Sequence, residues 1–148
     1  MQENVNIQNV MQVRVAKLES VKLIGFQGEH LDDQHKLFAQ MDARAKEISQ
    51  KKNGNQYLVI LPGLIPIVAV EVNDTSDVLE GMTAYTIPED EYVIFKFEEK
   101  YIGDFWSSIC TEENQSKYNI DLSKPRYEVF THSLQLAGVT EWYIPTIS

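Results

Sequence analysis

The chain has 148 residues, with 13 Lys or Arg against 22 Asp or Glu and a formal charge of −9. That length suits one domain with a real core, since roughly 150 residues bury about two-thirds of their unfolded surface. The acidic balance excludes a phosphate-reading nucleic-acid surface, which needs clustered Lys and Arg, and it disfavours anionic membranes and anionic substrates.

The N-terminal residues Met1-Gln2-Glu3-Asn4 carry neither a basic nor an apolar leader segment. Val13, Val15, Val21, Leu23 and Phe26 predict a β-rich first segment, with Arg14, Lys22 and Gln27 as polar alternates. Gly28 closes it, and Asp32 or Asp33 is placed to cap a helix. Phe38, Met41, Ala45 and Ile48 then form one apolar helical face, and Asn53-Gly54 is expected to end the helix and turn the chain. Tyr57 to Leu61 and Ile65 to Val72 read as buried strands, with Pro66 confined to a start or an edge. The apolar stretch from Leu58 to Val70 is broken by Pro62, Gly63 and Pro66, and it is too short for a membrane helix, which needs about 20 residues.

Asn73 to Gly81 carries three acids and no base, and reads as a linker. Met82 to Ile87 is extended, and Pro88 to Glu91 is a turn. In the strand Tyr92 to Glu98, Val93, Phe95 and Phe97 share one face, with Tyr92 and Ile94 on the other. A helix opens at Gly103-Asp104, carries Phe105, Trp106 and Ile109, and fades before Tyr118. Pro125 precedes a strand from Arg126 to Thr131, and Gly138 turns into a last strand from Thr140 to Ile144. Both halves read strand–helix–strand–strand, about 11–73 and 82–147. An offset of 70 residues pairs Tyr57 with Tyr127, Val59 with Val129 and Glu71 with Glu141. The expectation is one α+β domain: duplicated β-α-β-β units with pseudo-twofold symmetry, one curved antiparallel sheet, two helices on one face and a groove between the halves.

The histidines His30, His35 and His132 have no metal-ligand spacing, so no metal is expected. No Gly-rich phosphate loop or nucleophile elbow occurs, and no cofactor is expected. Cys110 is the only cysteine, which precludes an internal disulfide and suits a reducing cytoplasm. The informative residue is Glu128, at the centre of an apolar strand between Arg126 and Phe130. It has two readings. One is a solvent-facing acid paired with Arg126. The other is a cavity-floor carboxylate awaiting a cationic or hydrogen-bonding ligand. Glu141, beside Trp142 and Tyr143, is a second candidate, read either as a site carboxylate or as a solvated strand residue. The second half also concentrates Tyr92, Phe95, Phe97, Trp106, Phe130, Trp142 and Tyr143, and an acid ringed by aromatics suits lipophilic cations.

Ile87-Pro88, Tyr92-Val93-Ile94-Phe95, then Gly103, Phe105 and Trp106, then Pro125 to Phe130 and Glu141 to Pro145, occur in an order that resembles the bacterial GyrI-like effector-binding family. That family serves as the small-molecule domain of multidrug-responsive and AraC-type transcription regulators and also occurs as free-standing proteins. The resemblance implies a duplicated β-α-β-β fold with a central cleft. It also implies a cleft glutamate, here Glu128, that meets cationic lipophilic compounds. Phe130 shares its strand face, and Trp106, Trp142, Tyr143 and Tyr92 are candidate walls. The sequence departs from the family at Pro88-Glu89-Asp90-Glu91-Tyr92, where a Pro-x-Gly-x-Tyr turn is usual.

The expected function is therefore a stand-alone cytoplasmic binder, a sensor or sequestering protein, for hydrophobic and cationic small molecules. One alternative is a hydrolase of electrophilic small molecules, with Glu128 as general base and Tyr143 or Tyr92 as proton donor. A second alternative is an inhibitor or adaptor with a protein partner. No direct nucleic-acid or membrane contact is expected.

Overall fold

Alternation at Val13 and Val15 makes β1 (Gln12–Leu18), and Leu23 to Phe26 make the inner strand β2 (Val21–Gln27), buried on both faces. The computed structural model describes residues 10–49, 51–76 and 78–147. The reading of the leader segment, and residue 77 of the linker, lie outside them. The Asp33 carboxylate accepts the backbone N–H groups of Glu29 and His30 at 2.9 and 3.1 Å, tying down the turn that leads into helix α1 (Gln34–Arg44). Helix α1 buries Leu37 and Met41, and Ile48 is buried just beyond its end.

Asn53-Gly54 does not end the helix. A 3-10 turn over Ala45–Glu47 does so, and the chain has already entered β3 (Lys51–Leu61) when it reaches Asn53. The pairing of β3 with β4 (Ile65–Val72) slips between Lys51 and Gln56, and that irregularity absorbs the Asn-Gly pair. β5 (Thr83–Ile87) and β6 (Asp90–Glu98) follow the linker. The second helical region is two helices, α2 (Ile102–Ile109) and α3 (Glu112–Tyr118), because the Thr111 hydroxyl accepts from the Asn114 N–H and starts a new one. After β7 (Arg126–Phe130), the Thr131 hydroxyl caps a short helix that the sequence reading lacked, α4 (His132–Ala137), and Gly138 ends it at φ 66°. β8 (Val139–Pro145) completes the chain.

All eight strands join one antiparallel sheet in the order β1-β6-β8-β7-β3-β4-β2-β5. The order is symmetric about the β7–β3 junction. There Tyr57 pairs with Val129, Leu58 with Glu128 and Val59 with Tyr127. The pseudo-twofold axis thus runs through the Leu58–Glu128 pair, and the offset of 70 holds for these two strands. It drifts in the outer pair. Ala69 lies beside Tyr57 as Tyr143 lies beside Tyr127, so the counterpart of Tyr143 is Ala69, and Glu71 and Glu141 are not equivalent. Each unit lends its first strand to the other: β1 flanks β6, and β5 flanks β2.

The two faces differ in chemistry. Under the helices lies a core of Phe26, Leu58, Val70, Phe95, Phe97, Phe105 and Trp142, each aromatic adding about 1.5–3 kcal/mol by leaving water. The other face carries a second buried layer with Leu23, Val59, Ile94 and the tyrosines Tyr57, Tyr92 and Tyr127. No helix among the described residues is long and apolar enough to cross a membrane.

A candidate effector-binding cleft

Five of the six expected site residues lie on strands, where alternation sets the face of each, and Trp106 lies on α2. Glu128 and Trp142 are directly opposed on β7 and β8 and face the helices, whereas Tyr127 and Tyr143, the adjacent pair, face the other way. The six do not form one site. Glu128, Trp106 and Trp142 line a helix-side pocket of about 460 Å³. Phe130 shares that face but belongs to a neighbouring depression, where its ring meets Phe38 edge-on at 5.2 Å. Tyr143 and Tyr92 lie across the sheet. The proton-donor partnership of Glu128 with Tyr143 or Tyr92 is therefore not assembled.

Glu128 is 6% exposed, and its carboxylate accepts a short hydrogen bond from the Thr140 hydroxyl. Burial pushes its pKa up to about 7, with the Thr140 bond opposing the rise and Glu99 adding to it. It is not a solvent-facing partner of Arg126. That guanidinium instead lies over the Trp106 ring, 4.9 Å from its centroid, and no ion pair reaches it among the described residues.

The opposite face holds a second group of aromatic rings and carboxylates. A cleft of about 470 Å³ opens there, with Tyr57, Tyr127 and Tyr143 lining it beside Ile94 and Val129. The Tyr127 and Tyr143 rings stack at 4.6 Å and 6°, Tyr57 leans on Tyr127 at 5.8 Å, and Tyr92 meets Tyr127 edge-on from behind. A carboxylate stands at each side. Glu71 accepts from the Tyr57 hydroxyl at 2.9 Å, and Glu141 accepts a short bond from Tyr143. Each also meets a rim base: Lys52 lies 3.3 Å from Glu71, and Arg14 lies 3.7 Å from Glu141. Both bases are more than half exposed, so these pairs are weak and readily exchanged. Burial, reinforced by the carboxylates, drives the hydroxyls of Tyr57 and Tyr143 well above the usual tyrosine range, so both stay protonated donors. The Tyr92 hydroxyl, raised by burial to about 12, donates to the Pro88 carbonyl and braces the wall.

Sequence reasoning weighed Glu141 and named Tyr143, but it passed over Tyr57, Tyr127 and Glu71 as site residues. The offset of 70 aligned Tyr57 with Tyr127, an equivalence the structure keeps, whereas its match of Glu71 with Glu141 does not hold there. Arg14 had no such signal, because it reaches the cleft only through the exchange of β1.

No curated protein matches the chain significantly. The family described as integron-associated effector-binding protein matches residues 14–146. Among solved structures, SAV2435 bound to tetraphenylphosphonium superposes with a TM-score of 0.66 at 15% identity, covering 93% of this chain and 94% of that one. The integron cassette protein from the mobile metagenome of Vibrio cholerae gives 0.61 at 12% identity over 93% and 98%. The EcmrR C-terminal domain gives 0.70 at 12% identity, also over 93% and 98%. These likenesses establish the fold, an α+β domain built on one large antiparallel sheet. The match over nearly the whole chain establishes the family: this chain belongs to the integron-associated effector-binding proteins.

Proposed function

We propose that this protein captures lipophilic monocations in the tyrosine-lined cleft on the open sheet face. The observation that carries the reading is the row of Tyr57, Tyr127 and Tyr143 held between Glu71 and Glu141, with each outer tyrosine bonded to its carboxylate. Ring faces attract a delocalised cation, and the two carboxylates set the sign of the potential. Lys52 and Arg14 screen those carboxylates when the cleft is empty and can swing toward solvent when a cation enters. SAV2435, of the same fold, was solved with tetraphenylphosphonium, which supports this ligand class. The exposed, unpaired Cys110 is compatible with a reducing cytoplasm, where such a protein would sense or sequester its ligand.

The test is isothermal titration with tetraphenylphosphonium and with tetraphenylborate, which has the same shape and the opposite charge. Saturable binding of the phosphonium, with the borate at least about tenfold weaker, supports the reading. Equal affinity for both ions, or no binding of either, overturns it.

A further inference from the structure

The tyrosine-lined cleft holds two cation seats, and the chain places a base of its own in each. Glu71 and Glu141 are only 14% and 12% exposed, whereas the bases that reach them from the rim, Lys52 and Arg14, are 58% and 55% exposed. In each seat a tyrosine hydroxyl donates to one carboxylate oxygen, Tyr57 to Glu71 and Tyr143 to Glu141, while the other oxygen meets the base. Duplication of the fold does not account for this repetition, because Tyr143 corresponds to Ala69, and Glu71 and Glu141 are not equivalent. The two acids lie on β4 and β8, with β3 and β7 between them. Three interstrand steps at about 4.8 Å each separate the seats by about 14 Å along the sheet. Tyr127 and Val129, both on β7, give the floor between them.

We propose that the cleft takes a linear organic dication, with one ammonium head in each Tyr–Glu seat and the apolar spacer lying over Tyr127 and Val129. The proposal rests on the reading of this cleft as a cation site and extends it from one positive charge to two. The ligand's heads replace Lys52 and Arg14 at their carboxylates, and both bases turn to the solvent in which more than half of each side chain already stands. Giving up such exposed ion pairs costs little. A quaternary head set against a tyrosine ring face gains cation–π attraction in return. Once one head is seated, the second binds intramolecularly, so a spacer that reaches the other seat raises affinity well above that of a single head. A spacer too short to cross β3 and β7 forfeits that gain, although it carries the same charge.

The experiment is calorimetric titration of the intact protein with three compounds. Decamethonium has two trimethylammonium heads on a ten-carbon spacer, decyltrimethylammonium has the same chain and one head, and ethane-1,2-bis(trimethylammonium) has both heads and a spacer too short to bridge the seats. Decamethonium is expected to bind at least about tenfold more tightly than either control. Glu71→Gln and Glu141→Gln, each of which removes one seat, should both cut its advantage over decyltrimethylammonium to less than about threefold. The double variant Arg14→Gln, Lys52→Gln empties both seats and should bind decamethonium about threefold or more tightly than wild type. An advantage below about threefold in the wild-type protein overturns the proposal without need of any variant. So does a wild-type advantage that persists in both acid variants, which assigns it to charge elsewhere on the surface. Tetraphenylphosphonium separates the two readings of the cleft. If it binds while decamethonium shows no advantage, the two-seat proposal alone falls; if neither it nor decyltrimethylammonium binds, the cation reading falls and takes the proposal with it.

Discussion

The ring of Tyr127 lies flat against that of Tyr143, 4.6 Å away and 6° from parallel, directly across the β7–β8 pair. Tyr143 has two roles that can be separated: a ring face toward the cleft and a hydroxyl toward Glu141. Tyr143→Phe keeps the stack and should change tetraphenylphosphonium affinity by less than about threefold. Tyr143→Ala removes the face and should cost about tenfold, close to 1.4 kcal/mol, as expected for loss of a cation–π wall. Calorimetric titration of both variants checks the difference.

Glu71→Gln and Glu141→Gln each remove one cleft charge without changing shape. Each should weaken tetraphenylphosphonium binding about three- to tenfold, and the double variant more. Wild-type affinity should also decline with added salt, and the double variant should lose most of that dependence. The readout is a titration series at several salt concentrations. A salt slope that is the same in all variants would assign the attraction to other charges.

Glu128 links proton uptake to folding. Its pKa rises from 4.5 to about 7 because of burial. Below pH 4.5 both folded and unfolded forms are protonated, so the residue is neutral in effect. Between pH 4.5 and 7 the unfolded chain ionises while the folded protein keeps its proton, and stability falls as pH rises. Above pH 7 the loss is complete, at about 3 kcal/mol. Glu128→Gln cannot ionise, so its stability relative to wild type should improve by about that amount between pH 4 and pH 8. Urea unfolding of both proteins at the two pH values measures it, and a difference that ignores pH would remove Glu128 as the responsible group.

Gly25 sits in β2 where the next strand approaches most closely. A Cβ there would lie 2.1 Å from the Val68 carbonyl oxygen and 2.5 Å from the Ala69 Cα, and both are backbone. Neither can yield without breaking the β2–β4 register. Gly25→Ala should therefore destabilise by more than about 3 kcal/mol or prevent folding, against the common range of about 0.5–3 for single substitutions. Gly54→Ala, with open space around its Cβ, is the matched control in the same thermal melt.

Strand alternation made much of this legible. Val93, Phe95 and Phe97 fall on one face and Tyr92 and Ile94 on the other, as the period of two requires. The β4 limits, Ile65 and Val72, were fixed by the turn residues before them and the polar linker after. What alternation could not say is which face of the sheet the helices cover. On β7 the even residues carry two charges, Arg126 and Glu128, and the odd ones, Tyr127 and Val129, none, so alternation alone would turn the even face outward, whereas it is the face the helices cover. Short helices were lost for a related reason: α4 has six residues and no buried side chain, so it leaves no apolar stripe to detect, only the Thr131 cap and Gly138.

The exchange of β1 and β5 has a consequence for how the repeat can exist at all. A half carrying only β1 to β4 would lack β5, which covers the outer edge of β2, and its β1 would lack β6, the strand it pairs with. The first strand of each half is thus the edge cover of the other, and the Asn73–Gly81 connection keeps donor and acceptor in one chain.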